Sequence, residues 1–295
     1  MPTIRLSENF RAVFYAPFYA TVALGHFARE GVDVELVSSP SPGAAAAGLL
    51  DGSLDLSWGG PMRVMKARNE VGGPPLMAFC EVVRRDPFYL VARPGLHSFA
   101  LSDLPKLRFG SVSEVPTPWL CLQHDLREQG IDPSTLSRIA DRTMPDNLAA
   151  LADGSLDVAQ MFEPFASRAE RQGRGRIVHA ASARGETCYT TFLATRDSIA
   201  RHRDAFAAMT RAISRTQAWL ARSNAQDMVD VVSEFYPDAA SGELLAAFGR
   251  YREARLWAAD VVVSRVGFDR LAKSLQSGGF IARCPTYEEC VVNFA

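Results

Sequence analysis

The sequence predicts an α/β protein built as two similar lobes, and three observations carry that prediction. A six-residue phrase occurs twice, as Asp51-Gly52-Ser53-Leu54-Asp55-Leu56 and Asp153-Gly154-Ser155-Leu156-Asp157-Val158. Each copy follows an Ala/Leu-rich stretch, at 44–50 and 148–152, so each reads as a helix, a turn with glycine at the C-cap and a short buried strand. Strand-like and helical patterns alternate on either side of both copies, the mark of a sheet with right-handed crossovers. Two further strand-like runs, at 88–92 and 189–194, lie where one such unit gives way to the next. Asp-Gly-x-x-Asp is also an ordinary surface turn, so the phrase alone leaves coincidence open; the matching flanks favour a duplicated scaffold.

In chain order, Ile4 to Leu6 is a first strand, and the loop after it carries Asn9, Phe10 and Arg11. Residues 14–30 read as one helix, with Phe18, Val22 and Phe27 at helical spacing and Gly31 as the stop. Val32 to Val37 alternates apolar and acidic residues as a half-buried strand does. Ser41 and Pro42 offer an N-cap and first turn for the helix that ends in the first repeat. Residues 62–69 are helical, and 75–83 and 88–92 are strands. A second unit runs from about 94: a strand at 107–112, a helix opened by Thr117-Pro118, a strand at 138–142, a helix from Pro145-Asp146 into the second repeat, a helix at 165–171, and strands at 177–180 and 189–194. Beyond these the chain is mostly helical, at 204–223, 226–236, 242–257 and 268–278. The boundaries follow: a first lobe of 1–85 and 189–295, and a second of 86–188.

Composition narrows the function classes. Apolar residues at 47% and charged residues at 22% are ordinary globular values, and a net charge of −1 gives no reason to expect nucleic acid or an anionic membrane as partner. Five cysteines without a CxxC outline neither a disulfide framework nor a zinc site. No apolar run reaches the length of a membrane span, so no membrane insertion is expected. The chain opens directly on a strand. The expected location is therefore periplasmic if a secretory signal has been removed, and cytoplasmic if the chain is complete. The basic stretch from Arg168 to Arg176 lacks a strand-loop-helix context and reads as a solvated helix end.

In open α/β sheets ligands bind beyond the carboxyl ends of the strands, where helix N-termini also point. That rule places residues 9–11, 38–41, 58–61, 113–117 and Glu163 around one cleft.

The order of these segments resembles a known family. It runs from Asn9-Phe10 through Pro17-Phe18, Gly25-His26-Phe27 and Gly31-Val32-Asp33-Val34 to the first repeat. Asp86-Pro87-Phe88, Gly110-Ser111-Val112-Ser113-Glu114, Asp157-Val158, Phe162-Glu163-Pro164 and a closing Val291, Asn293-Phe294-Ala295 follow. The chain resembles, over essentially its whole length, the SsuA/THI5-like (NMT1-type) solute-binding proteins of the type II periplasmic binding protein fold. The single motifs are weak and their order is specific for the fold rather than the ligand. The resemblance implies a Venus-flytrap mechanism with two hinge-crossing strands: a small organic ligand enters between the lobes and differential affinity closes them. It also implies an ABC permease as partner, and ligands in the sulfonate, nitrate, taurine and thiamine-pyrimidine class, with no cofactor, metal or catalytic residue.

The expected ligand-binding residues are Asn9, Phe10, Arg11, Ser39, Trp58, Gly59, Gly60, Arg84, Ser113, Glu114, Thr117, Glu163 and Tyr189. Asn9 supplies an amide and Phe10 a stacking ring, a core position being the alternative for Phe10. Arg11 suits an anionic group, and a solvated surface arginine is the alternative. Trp58 with Gly59 and Gly60 permits close backbone approach, or forms a turn over a core tryptophan. One of Arg84 and Arg85 reaches the cleft while the other pairs structurally. Ser113, Glu114 and Thr117 stand at a helix start whose free N–H groups favour an anion, although capping alone accounts for Thr117. In pyrimidine-binding relatives an acidic residue near Glu163 contacts the ring, and Tyr189 lines the cleft or packs. The ligand expected from these residues is planar or partly apolar with one anionic or polar end.

An enzyme on the same fold is the alternative. The pyrimidine synthase of this family requires a Lys and a nearby His shortly after the first repeat and a Cys-rich run on the returning strand. Here the first stretch is Trp58-Gly59-Gly60-Pro61-Met62-Arg63 and the second is Cys188-Tyr189-Thr190-Thr191-Phe192. Both depart from that pattern, which argues against the activity, though a lyase on this fold stays open.

Overall fold

The structure, a computed structural model, describes residues 2–8, 10–39 and 42–294. Asn9, Pro40 and Ser41 lie outside the described residues, and with them the Asn9 site and the Ser41 cap.

The chain opens with β1 (Thr3–Glu8), the helices α1 (Ala16–Ala23) and α2 (His26–Arg29), β2 (Asp33–Ser38), α3 (Pro42–Asp51), β3 (Leu56–Gly59), α4 (Met62–Ala67) and β4 (Leu76–Arg85). Then come β5 (Tyr89–Ala92), β6 (Arg108–Gly110), α5 (Thr117–Glu128), β7 (Ser137–Ile139), α6 (Met144–Ala152), β8 (Val158–Met161), α7 (Phe165–Arg171) and β9 (Arg176–Ala180). The chain continues with β10 (Glu186–Thr195) and the helices α8 (Arg196–Arg201), α9 (Arg203–Leu220), α10 (Ala225–Val232), α11 (Ser241–Glu253), α12 (Arg265–Ser277) and α13 (Tyr287–Cys290). The single helix expected over 14–30 is in fact a 3₁₀ turn (Val13–Tyr15) and two helices, because Gly25 turns left-handed at φ 68° between them. The strand expected at 138–142 is only Ser137–Ile139. Thr117 does not cap α5: Pro116 holds that position and Thr117 is the first helical residue.

Two five-stranded sheets result, in the orders β2-β1-β3-β10-β4 and β7-β6-β8-β5-β9. In the first, β1 runs parallel to β2 and β3 while β10 lies antiparallel to β3 and β4; in the second, β6 runs parallel to β7 and β8 while β5 lies antiparallel to β8 and β9. Each sheet therefore joins a three-stranded parallel unit to antiparallel strands. Strands β3, β5 and β8 are buried at every position; β5 is apolar throughout, while β3 buries Ser57 and β8 buries Gln160.

The doubled phrase is the same structural staple twice. Gly52 and Gly154 stand at φ 78° and 77°, conformations that glycine alone adopts without steric penalty. Ser53 and Ser155 each donate their backbone N–H to the preceding Asp side chain at 2.8 Å. The second aspartate accepts from an arginine on the adjacent strand in matching fashion. Arg5 donates its backbone N–H to Asp55 at 2.9 Å and a guanidinium N–H to the Gly52 carbonyl at 2.8 Å. Arg108 does the same to Asp157 and Gly154, at 2.9 and 2.6 Å. Burial alone would raise the Asp55 carboxyl, but the hydrogen bonds and charge of Arg5 hold it below its usual range. Arg108 and Arg93 hold Asp157 further below against the same opposing burial.

The passage between sheets occurs at residues 86–88 after β4 and at 181–185 before β10. There the largely buried Arg184 side chain pairs with Asp86 and Asp125. Strands β4 and β10 pair with shifts of register, and both carry a cysteine at positive φ, Cys80 and Cys188. The C-terminal helices touch both sides: α11 joins α7 through Arg250 with Glu163 and Arg168 with Glu243 at 3.0 Å each, and α12 joins α5 through Arg127 with Ser277 at 3.3 Å. Cys80, Cys121, Cys188 and Cys290 are buried core residues, and Cys284 is exposed.

Candidate functional site

Loops at the carboxyl ends of the parallel strands of both sheets face each other, and two cavities lie between them. The larger, of about 500 Å³, is walled on one side by Phe10 and Arg11 after β1 and by residues 235–239, and on the other by Glu114 after β6, Met144 of α6 and Phe162, Pro164, Phe165 and Arg168 around the start of α7. The smaller, of about 40 Å³, is walled by Phe10, Phe14, Tyr15, Gly60, Met62, Arg63 and, from β10, Tyr189 on the first sheet's side, and by Phe88, Val115, Pro116 and Thr117. The Phe10 ring is common to both. It stacks on Phe162 across the gap at 6.1 Å and meets Phe14 edge-on at 6.2 Å, so it is half-buried between two sheets rather than a core residue of either.

Arg11 is anchored. It donates to Glu8 at 2.8 Å, and the buried Glu8 also accepts from the hydroxyls of Ser38 and Tyr19. Burial would raise the Glu8 carboxyl, but the bonds from Arg11, Ser38 and Tyr19 outweigh it and hold it below its usual range. Glu114 accepts the N–H of Met144 at 2.9 Å, which makes it a cap for α6 as well as a wall of the larger cavity. Arg168 pairs with Glu243 at 3.0 Å and borders the same cavity, so the stretch that reads as a solvated helix end is partly a cleft wall. The larger cavity thus has aromatic and apolar walls, and Arg11, Glu114 and Arg168 on it are already partnered, while Asp238 adds a carboxylate at its edge.

The smaller cavity differs. Among the described residues its wall contains one cation, Arg63, and no carboxylate. The Arg63 guanidinium has no hydrogen-bond or ion-pair partner among the described residues; burial lowers its pKa, with the Tyr15 phenol as the opposing neighbour. The Tyr189 hydroxyl is buried with no hydrogen-bond partner among the described residues, and burial pushes its pKa well up. Thr117 donates its hydroxyl to the Met62 sulfur at 2.7 Å, which leaves the N–H groups of the first turn of α5 beside the cavity. Gly60 lies on the wall, where a Cβ would meet the Met62 Cγ at 3.4 Å and the Tyr189 carbonyl at 3.6 Å, both ordinary contacts.

The structure therefore brings Phe10, Arg11 and Glu114 to one cavity, and Phe10, Gly60, Thr117 and Tyr189 to the other. It places Ser39, Trp58, Gly59, Arg84, Ser113 and Glu163 outside both walls. Ser39 shares a hydrogen bond of 2.6 Å with Ser7. Trp58 is fully buried and stacked on Phe18 at 4.5 Å, and Gly59 ends the buried strand beside it. Arg84 pairs with Glu81 at 2.7 Å and Asp260 at 3.0 Å. Ser113 is exposed, its N–H bonded to the Arg142 carbonyl at 3.1 Å. Glu163 is fully buried and accepts from Arg250 at 3.0 Å and from the Ser167 N–H at 2.8 Å; burial raises its pKa against those two bonds. Sequence reasoning missed Arg63 and the 235–239 loop. Arg63 stands five residues past Trp58 on the first turn of α4, and only its lack of a partner distinguishes it.

A family model described as the NMT1-like family matches residues 10–233. The chain is 24% identical over 290 residues to YtlA of Bacillus subtilis (strain 168), a protein named as a binding protein; the match covers 98% of this chain and 87% of that one. Among solved structures it is similar to the alkanesulfonate-binding protein SsuA from Xanthomonas axonopodis pv. citri bound to MOPS, with a TM-score of 0.75 and 13% identity over 99% of this chain and 98% of that one. It is similar also to the periplasmic aliphatic sulphonate binding protein SsuA from Escherichia coli, with a TM-score of 0.73 and 17% identity over 95% and 91%. At these identities the likeness shows the fold, which is the two-lobed periplasmic binding protein fold, and the relatives are binding proteins by name. Among the described residues no helix is long and apolar enough to cross a membrane.

Proposed function

The chain belongs to the NMT1-like family, and from that premise we propose that it is the solute-binding component of an ABC importer, holding a small organic ligand between its two sheets without chemically changing it. One observation carries this reading: a cavity of about 500 Å³ whose walls come from the strand-end loops of both sheets at once. A ligand seated there gains contacts from the second side only when the two sides approach, so its differential affinity favours the closed state. The lobes are assigned as 1–85 with 189–295, and 86–188, with α11 and α12 bridging them. The aromatic walls favour a planar or partly apolar solute. The permease would engage the closed form, and the site of action would be on the outer side of the membrane, as for the relatives named periplasmic.

The enzyme alternative has little to support it. The turn after the first repeat presents Met62 and Arg63 where a Lys and His would be needed, and burial pushes the Cys188 thiol well up, away from a reactive thiolate. A thermal-shift screen of pyrimidines, aromatic acids and sulfonates tests the reading. Binders raise the melting temperature, Phe10→Ala weakens the best of them at least fivefold, and the ligand is recovered intact. Conversion of excess ligand by catalytic amounts of protein, seen by mass spectrometry, would overturn it.

A further inference from the structure

We propose that the smaller cavity is a headgroup site for an oxyanion of carboxylate size, held by Arg63 and the Tyr189 hydroxyl beside the N-terminus of α5, with the apolar body of the same ligand lying along Phe10 in the larger cavity. This rests on the reading of the chain as a solute binder and names the chemical class of its solute.

Three independent features of the molecule converge on this. Arg63 is a half-buried guanidinium with no carboxylate in reach among the described residues. On its other side it borders an open cavity where Glu70 is engaged by Lys66 at 3.8 Å. A cation withdrawn from water without a partner is costly, and an incoming anion removes that cost. The other arginines at the cleft, Arg11 and Arg168, already have their carboxylates. Second, the Tyr189 side chain is more than nine-tenths buried, lines the same cavity, and has a hydroxyl with no acceptor among the described residues; it is the buried, unpartnered polar group on this wall, and a donor so placed marks where an acceptor is missing. Third, the twelve-residue helix α5 begins at this cavity with Thr117, and its first-turn N–H groups and dipole add to the same positive field.

The volume sets the size of the head. A cavity of about 40 Å³ admits only a compact head. Arginine suits a planar carboxylate because its fork can donate two parallel bonds. The ring or chain attached to the head cannot fit beside it and must pass Phe10, whose exposed face borders the larger, apolar cavity.

The test is calorimetric titration of the full chain with three probes that share one body: 4-methylbenzoate, 4-methylbenzenesulfonate and 4-methylbenzamide. The expected order places the carboxylate at least tenfold tighter than the amide and several-fold tighter than the sulfonate. Arg63→Met brings carboxylate and amide to within about twofold of each other, Arg63→Lys keeps part of the preference, and Tyr189→Phe lowers carboxylate affinity about three- to tenfold with little change for the amide. Arg63→Lys serves if Arg63→Met does not fold, because a lysine that restored full preference would contradict the bidentate head. A carboxylate preference that survives Arg63→Met, a sulfonate that binds more tightly, or a wild type that does not bind the carboxylate would each overturn the proposal. If the amide binds as well as the acid, the headgroup site falls while the solute-binding reading stands. That reading falls separately, when no solute of any charge in the wider screen binds.

Discussion

Asp157→Ala tests whether the doubled phrase is scaffold. The Asp157 carboxylate accepts the Arg108 backbone N–H at 2.9 Å, two guanidinium N–H groups of Arg108 at 3.0 and 2.9 Å, and Arg93 at 2.8 Å. Truncation orphans the backbone donor at the start of β6, and a hydrogen bond to a charged group contributes about 1.5–3 kcal/mol. The Arg93 and Arg108 side chains are 37% and 48% exposed, so water replaces most of their pairing, and each ion pair adds about 0–1 kcal/mol. The expected loss is about 2–4 kcal/mol at pH 7, read from urea unfolding followed by circular dichroism. The folded carboxyl lies below its unfolded value, so its contribution is present above about pH 4 and is lost as the pH falls through the folded pKa. The gap between wild type and Asp157→Ala therefore narrows below pH 4. A gap under about 0.5 kcal/mol at pH 7, or one that widens on acidification, would refute the staple. So would unchanged stability with abolished ligand binding, which would make the phrase part of the site.

Two more outcomes follow from buried groups outside the cleft. Trp58 is fully buried and stacked on Phe18, so Trp58→Ala costs about 3–5 kcal/mol of stability, whereas Trp58→Phe keeps the stack, removes an unpartnered indole N–H and leaves ligand affinity within about twofold in titration; a large affinity loss in Trp58→Phe would place the indole in the site. Burial raises the Glu81 carboxyl to about 7 against the charge of Arg84, so the folded state holds this proton more tightly than the unfolded one, and the contribution is full below about pH 4 and gone above about pH 7. Glu81→Gln should flatten the decline of unfolding free energy between those values, and an equally steep decline in the variant would show that another group is responsible.

The parts of the fold legible in the sequence are those set by local rules. Period and punctuation located the helix Phe165–Arg171 to the residue, the parallel strands and both repeats, because Gly52 and Gly154 must turn left-handed wherever that phrase is folded. Rules about strand ends brought Phe10, Arg11, Gly60, Glu114 and Thr117 to the cleft, since loop position follows from topology. The same rules could not say which charges are spent. Glu163 looks like a ligand residue from its place after the second repeat, and Arg84 from its place at the hinge. Each is instead tied to a partner 87 or 176 residues away, Arg250 and Asp260.

The sequence by itself determined that this is a two-sheet α/β chain with a duplicated helix-turn-strand, because propensity, capping and burial pattern act over a few residues at a time. Only the tertiary structure decided where unsatisfied polarity remains. Whether an arginine is free is a sum over every carboxylate that folding brings within a few ångströms, and that sum pairs Arg11, Arg84 and Arg168 while leaving Arg63 beside the unpartnered Tyr189 hydroxyl.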